Sequence, residues 1–136
     1  MEIVELRTSR RNELLEVTGR VQEVVDRSGV SGGVVVVQSL HTTAALTINE
    51  NADPDVRRDM MLKLSELIPK EERYYQHNEG NSDSHVKTAM VGNSATVLIE
   101  AGRLVLGRWQ GVYLCEFDGP REREMVVKCL VFNGPD

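Results

Sequence analysis

Gly32 and Gly33 open an unbroken run, Val34-Val35-Val36-Val37-Gln38-Ser39-Leu40, and no other feature of the chain restricts its fold as strongly. Four consecutive β-branched side chains lose rotamer freedom in a helix and suit a pleated surface, so the run predicts a strand. Neighbouring strand residues point to opposite faces, and valine at successive positions therefore asks for cover on both. A strand of this kind belongs at the centre of a sheet.

The rest of the chain supplies partners for it. Ile3, Val4 and Leu6 within residues 1–8 predict a short strand. Ser9 as a cap, with Leu14, Leu15, Val17, Val21, Val24 and Val25 at mostly three- and four-residue steps, predicts an amphipathic helix that Gly29 ends. After a threonine- and alanine-bearing segment, residues 49–53 read as a loop; Asp53 caps a second helix and Pro54 takes its first position. That helix puts Val56, Met60, Leu64, Leu67 and Ile68 on one face, which predicts core packing, and Pro69 marks its end.

Residues 70–84 are polar and irregular, a long segment of the kind that carries function or moves. Asp83 or Ser84 then caps a short helix through Val86 and Met90 to Gly92. Three strand-like runs follow at 95–100, 103–114 (bending at Gly107 and Gly111) and 125–132, with Ala101-Gly102 as a hairpin turn. Clustered strands with two or three helices between them predict an α+β fold, and 136 residues at 40% apolar content predict one domain, 1–136, with one core.

Composition excludes several functions. A net charge of -5 disfavours binding through phosphate neutralisation along a nucleic acid, so no nucleic-acid partner is expected. A local pocket for a small phosphorylated ligand stays open, because Lys87, Arg103, Arg108, Arg121 and Arg123 lie in the second half. No apolar run reaches the ~20 residues of a membrane span, and the N-terminus lacks the pattern of a signal peptide; no membrane partner and a cytoplasmic location are expected. Cys115 and Cys129 each sit in an apolar stretch and read as packed thiols rather than as a disulfide or metal pair.

All three histidines stand where local structure changes: His41 after the central strand, His77 in the polar segment, and His85 at the start of the short helix. Imidazole moves protons near neutrality and is the commonest metal ligand, so the three are candidates for one site. Glu50, Glu79, Asp83, Asn49, Asn51 and Gln110 could assist as ligands or as orienting groups. Their spacing matches no close-paired zinc signature, and the same residue types also build turns. Two glycine-bearing segments, 79–84 with Asn81 and Gly102-Arg103, could cradle phosphate. Trp109, the single tryptophan, fits core packing better than stacking on a ligand.

Three blocks, HTTAALTINENADPDVRRDM from His41, HNEGNSDSHVKTAM from His77 and GRLVLGRWQGVYLCEF from Gly102, resemble the signatures of the YjbQ/UPF0047 family in order and spacing, across nearly the whole chain. The resemblance implies a YjbQ-like α+β domain of layered sheets with helices on one side, assembled as a homotrimer with a histidine-bearing site near the subunit boundary. It further implies an activity like that of secondary thiamine phosphate synthases, in which a thiazole phosphate displaces pyrophosphate from a pyrimidine methyl pyrophosphate. On this chain that reaction would centre on His41 and His85, with His77 and Glu79 next and Gln110 orienting. Asn49, Glu50, Asn51, Asn81, Lys87, Arg103 and Trp109 would serve the substrate and its phosphates. A divalent metal ion, zinc or magnesium, would be held by His41, His77 and His85, or by histidines with Glu50 or Glu79. Arg108 departs from the pattern, which has a threonine there. Two other readings use the same residues: a metal-dependent hydrolase of a phosphate ester or amide, and a non-enzymatic trimeric ligand- or metal-binding module.

Overall fold

The valine run becomes β3 (Gly33–Ser39), the middle strand of a five-stranded sheet in a computed structural model that describes residues 1–133. The other strands of that sheet are β1 (Glu2–Arg7), β5 (Ser94–Glu100), β6 (Arg103–Leu104) and β8 (Glu122–Val131), in the order β1-β8-β3-β5-β6. A three-stranded sheet has the order β2-β7-β4, from β2 (Glu13–Glu16), β7 (Gln110–Glu116) and β4 (Ala44–Glu50). Every pairing is antiparallel. The helices are α1 (Thr18–Ser28), α2 (Pro54–Leu67) and α3 (Ser82–Val91), which makes the α+β class the observed one.

The layers follow from alternation along the strands. Val35, Val37, Val97, Ile99, Met125 and Val127 face inward from the large sheet and meet Ala44, Leu46, Val112 and Leu114 from the small one. Helix α1 adds Val21, Val24 and Val25 to the same core and ends on Gly29 at φ 71°, a left-handed position that favours glycine. On the opposite face of the small sheet, Ala45, Cys115 and Phe117 pack against Met61 and Leu64 of α2 and Val91 of α3. Gly33 is fixed by a close approach: a Cβ there would sit 1.9 Å from the carbonyl oxygen of Leu130 on β8. The Ala101-Gly102 turn has φ of 51° and 74°, the double positive φ of a tight hairpin.

Three expectations change. Residues 13–16 form a strand rather than the first turn of α1, because Leu14 and Leu15 pair with Cys115 and Leu114 of β7; sheet pairing outweighs local helical spacing. The run expected over 103–114 divides into β6 and β7 around a turn. Helix α2 begins as read, with the Asp53 side chain accepting the Asp55 N–H at 2.9 Å, yet none of its residues is buried; only Ile68, just past its end, is enclosed. Its apolar face covers the sheet loosely.

Candidate active site

His41 follows the end of β3, and His85 lies in the first turns of α3, which packs beside β4. This brings the two imidazoles to one shallow depression of ≈ 360 Å³, whose walls also include Thr42, Thr88 and Asn93. A second depression of ≈ 430 Å³ is lined by His85 together with Tyr75, His77 and Val86. The His77 and His85 rings meet edge to face with centroids 5.8 Å apart, and Glu79 lies 3.5 Å from His77 Nε2. His85 therefore lines both depressions, one with His41 and the other with His77.

The environment of His41 is specified most closely. Its Nε2 accepts the backbone N–H of Glu124 at 2.8 Å, so the ring proton of the neutral form sits on Nδ1. Burial, aided by the nearby charge of Arg123, holds its pKa below the ordinary 6.5. His41 is thus a neutral imidazole able to donate from Nδ1. Thr88 is 6% exposed, and its Oγ1 is enclosed with no hydrogen-bond partner beside the same depression.

Behind the site lies a buried ionic network. Arg123 donates through Nε to Glu116 Oε1 at 2.8 Å and through Nη2 to Glu116 Oε2 and, at 2.8 Å, to Thr43 Oγ1. Burial pushes the Glu116 carboxyl upward, but the bonds from Arg123, the Asp118 N–H and Thr8 outweigh it and leave the pKa below the ordinary 4.5. This network ties β7 to β8 beside the backbone that holds His41.

Several expected residues lie elsewhere. Lys87 is only 2% exposed, its Nζ 3.1 Å from Asp83 and 5.7 Å from the centre of the Phe117 ring, so it faces the interior instead of a phosphate. Asp83 also takes the Arg11 guanidinium at 3.0 Å, and Asn81 donates to Asp118 at 2.8 Å. Arg103 pairs with Glu100 beyond the Gly33 end of the large sheet, whereas His41 follows the Ser39 end; the length of β3 separates them, ~20 Å. Asn49, Glu50, Asn51 and Gln110 sit at the far end of β4, ~20 Å from the end that leads to His41. There they build turns. Asn49 accepts the Glu50 N–H, Glu50 accepts the Ala52 N–H, Asn51 donates to the Gln110 carbonyl, and Gln110 accepts the Gly107 N–H. Trp109 is 54% exposed in the turn before β7 with the Arg108 guanidinium 4.7 Å from its ring centre, so it packs on arginine rather than in the core.

Of the three histidines expected to hold a metal ion, the His77 and His85 rings lie edge to face, and His41 has Nδ1 as its unengaged ring nitrogen. Nε2 of His41 is already engaged, and among the described residues no group of three or more His, Cys, Asp or Glu side chains is disposed to hold an ion. Both cysteines are free thiols, with Cys115 buried. Sequence reading missed Thr88, Thr42 and Asn93 as walls of the site, and the Glu124 N–H that orients His41. Of these only Thr42 and Thr88 stood near a histidine in the sequence; a backbone donor has no sequence signal.

Residues 2–131 match the family described as "UPF0047 protein YjbQ-like". The chain belongs to the UPF0047 YjbQ-like family. It is 42% identical to the UPF0047 protein YugU of Bacillus subtilis over 130 residues, 96% of this chain and 98% of that protein. A UPF0047 protein of Methanocaldococcus jannaschii is 46% identical over 126 residues, covering 93% of this chain and 91% of its own. Among solved structures, an uncharacterized conserved protein of the family from Clostridium acetobutylicum superposes with a TM-score of 0.93 at 48% identity, covering 96% of this chain and 100% of its own. A YbjQ-like protein of unknown function from Sulfolobus solfataricus gives a TM-score of 0.90 at 30% identity, covering 96% of each chain. The UPF0047 fold thus extends over nearly the whole chain. No helix among the described residues is long and apolar enough to cross a membrane.

Proposed function

We propose that this UPF0047 chain is an enzyme acting on a small phosphorylated molecule in the depression shared by His41 and His85. The reaction would be that of a secondary thiamine phosphate synthase. The observation that carries the reading is the depression that His41 and His85 line together with Thr42, Thr88 and Asn93.

In this reading the thiazole nitrogen bonds to the pyrimidine methylene carbon as the C–O bond to pyrophosphate breaks, and pyrophosphate leaves with the electron pair. His41 donates a hydrogen bond from Nδ1 and orients an oxygen of the substrate. His85, reachable from both depressions, carries the proton that the leaving pyrophosphate takes up. Neutralising that leaving group also calls for cations. Arg121, half exposed beside Asp118, already acts on His41 through space, while Arg123 is enclosed on Glu116 and Lys87 and Arg103 do not reach the depression.

The remaining polar groups would come from another copy of the chain in a homotrimer. Two features support this. Asn49, Glu50, Asn51 and Gln110 are ~20 Å from His41 within one chain, and the outer face of the large sheet presents Ile3, Leu98 and Leu130 to solvent uncovered by any helix. The two free thiols suit a cytoplasmic location. A binding module is the second reading, favoured by the uncharged wall of Thr42, Thr88 and Asn93.

Turnover and light scattering test the proposal together. Wild type, trimeric in dilute solution, should form thiamine phosphate slowly from the two substrates, followed by chromatography. His85→Ala should lower the rate by about a hundredfold or more with an unchanged unfolding midpoint. Arg108→Thr should keep the activity, because Arg108 rests on Trp109. An intact trimer that binds both phosphates without forming product would leave the binding module.

A further inference from the structure

A second concavity, sharing no residue with the histidine depressions, lies between the segment entering β2 and the first turns of α2 and has a volume of ≈ 420 Å³. Three guanidinium groups line it, those of Arg10, Arg57 and Arg58, against the single carboxylate of Glu13. In a chain with net charge -5 this is a local excess of positive charge.

The pairing of these groups is weak or absent. Glu13 already accepts the N–H and hydroxyl of Ser9, and the Arg10 Nε is 3.9 Å away. Arg58 has only its exposed neighbour Asp59, at 3.8 Å. Arg57 is half-buried, and its bonds go to neutral oxygens: the Tyr113 hydroxyl at 3.2 Å and the Glu50 carbonyl at 3.5 Å, with its guanidinium carbon 5.9 Å from the Tyr113 ring centre. Among the described residues no carboxylate lies within the 4.0 Å ion-pair distance of Arg57. A half-buried guanidinium tethered by neutral acceptors keeps donors in a forked array that matches phosphate oxygens.

The rest of the cleft narrows the ligand further. Leu14 and Met61 give it an apolar side. Charge and apolar wall together fit a phosphate monoester with a small apolar group. We propose that the cleft between β2 and α2 binds a small organic phosphate, held at its phosphate by Arg57 with Arg10 and Arg58 and at its apolar part by Leu14 and Met61. Because α2 has no buried residue, a ligand bridging it to β2 also fastens the helix to the sheet.

The test uses the full-length protein labelled with ¹⁵N, at moderate ionic strength, with phenyl phosphate as the probe and inorganic phosphate as the comparison. Phenyl phosphate should shift the amides of residues 10–14 and 54–62 saturably and slow hydrogen exchange along α2, and it should bind more tightly than inorganic phosphate. Arg57 has structural bonds, so the exposed Arg10→Gln and Arg58→Gln are the informative variants; each should raise Kd about two- to fivefold. His85→Ala should leave Kd at this cleft unchanged. Shifts confined to the surroundings of His41 and His85, or a Kd indifferent to both arginine variants, would overturn the assignment. Equal affinity for the two probes would overturn the apolar part of it.

Discussion

Arg123→Met removes a guanidinium from a place where no water can replace it. Glu116 is fully enclosed and Arg123 is 2% exposed, so after the substitution the carboxylate keeps only the Thr8 hydroxyl at 2.8 Å and the Asp118 N–H at 2.9 Å, with no opposite charge. Thr43 Oγ1 loses its donor at the same time. Removing one partner of a buried ion pair costs ~3–5 kcal/mol, a large part of the ~5–15 kcal/mol that holds a typical domain folded. Glu116→Gln in the Arg123→Met background deletes the stranded charge, its amide oxygen accepting the Asp118 N–H and its NH2 donating to the Thr8 hydroxyl oxygen, so the double variant should recover ~2 kcal/mol relative to Arg123→Met alone. Urea unfolding of wild type, both single variants and the double variant gives the four free energies. The reasoning fails if Arg123→Met loses less than ~1 kcal/mol, or if Glu116→Gln deepens its loss, since either result means that the pair does not act as an isolated buried ion pair.

Three further outcomes follow from the same groups. Asp83, like Glu116, is pushed upward by burial but held below its ordinary value of 3.8 by its bonds to Arg11 and Lys87. Carboxyls depressed in the folded state contribute stability that is present above their unfolded values and lost as pH falls through the folded ones, so urea midpoints should hold steady near neutrality and fall below pH ~4, less steeply in Glu116→Gln. His41 should titrate below 6.5 by NMR with its neutral proton on Nδ1, and Arg123→Met should move the titration upward by removing a repelling charge. A folded-state value below the unfolded one also means that His41 favours folding above pH ~6.5 and loses that contribution on acidification. Burial pushes the Cys115 thiol up to about 12, so iodoacetamide at pH 8 should leave Cys115 unmodified by mass spectrometry until the protein is unfolded.

Local signals were read reliably where one residue's own chemistry decides the structure. The valine run could only be an inner strand, Asp53 and Pro54 could only start a helix well, and Gly29 and Ala101-Gly102 sit where positive φ is required. What depended on partners far away in sequence was misread. Leu14 and Leu15 have helical spacing toward Val17 and Val21, but β7 offers them a pairing edge, and no residue near them announces it. The apolar face of α2 reads as core and is only half covered, because how deeply a helix sinks depends on the sheet beneath it.

The site divides along the same line. Sequence alone nominated His41, His77 and His85 by residue type and placement, and the family resemblance rested on the blocks around them. Only the tertiary structure decided that His85 shares one depression with His41 and another with His77, and that a backbone N–H of β8 dictates the tautomer of His41. It also decided which cations face solvent. Lys87, expected at a phosphate, is enclosed against Asp83 on its own helix, while Arg57, which the sequence did not single out, bonds to neutral oxygens at the rim of a cleft. The reason is physical: a charge is free or neutralised according to what the folded chain brings within a few ångströms of it, and those distances are set by strand pairing and helix packing across the whole domain.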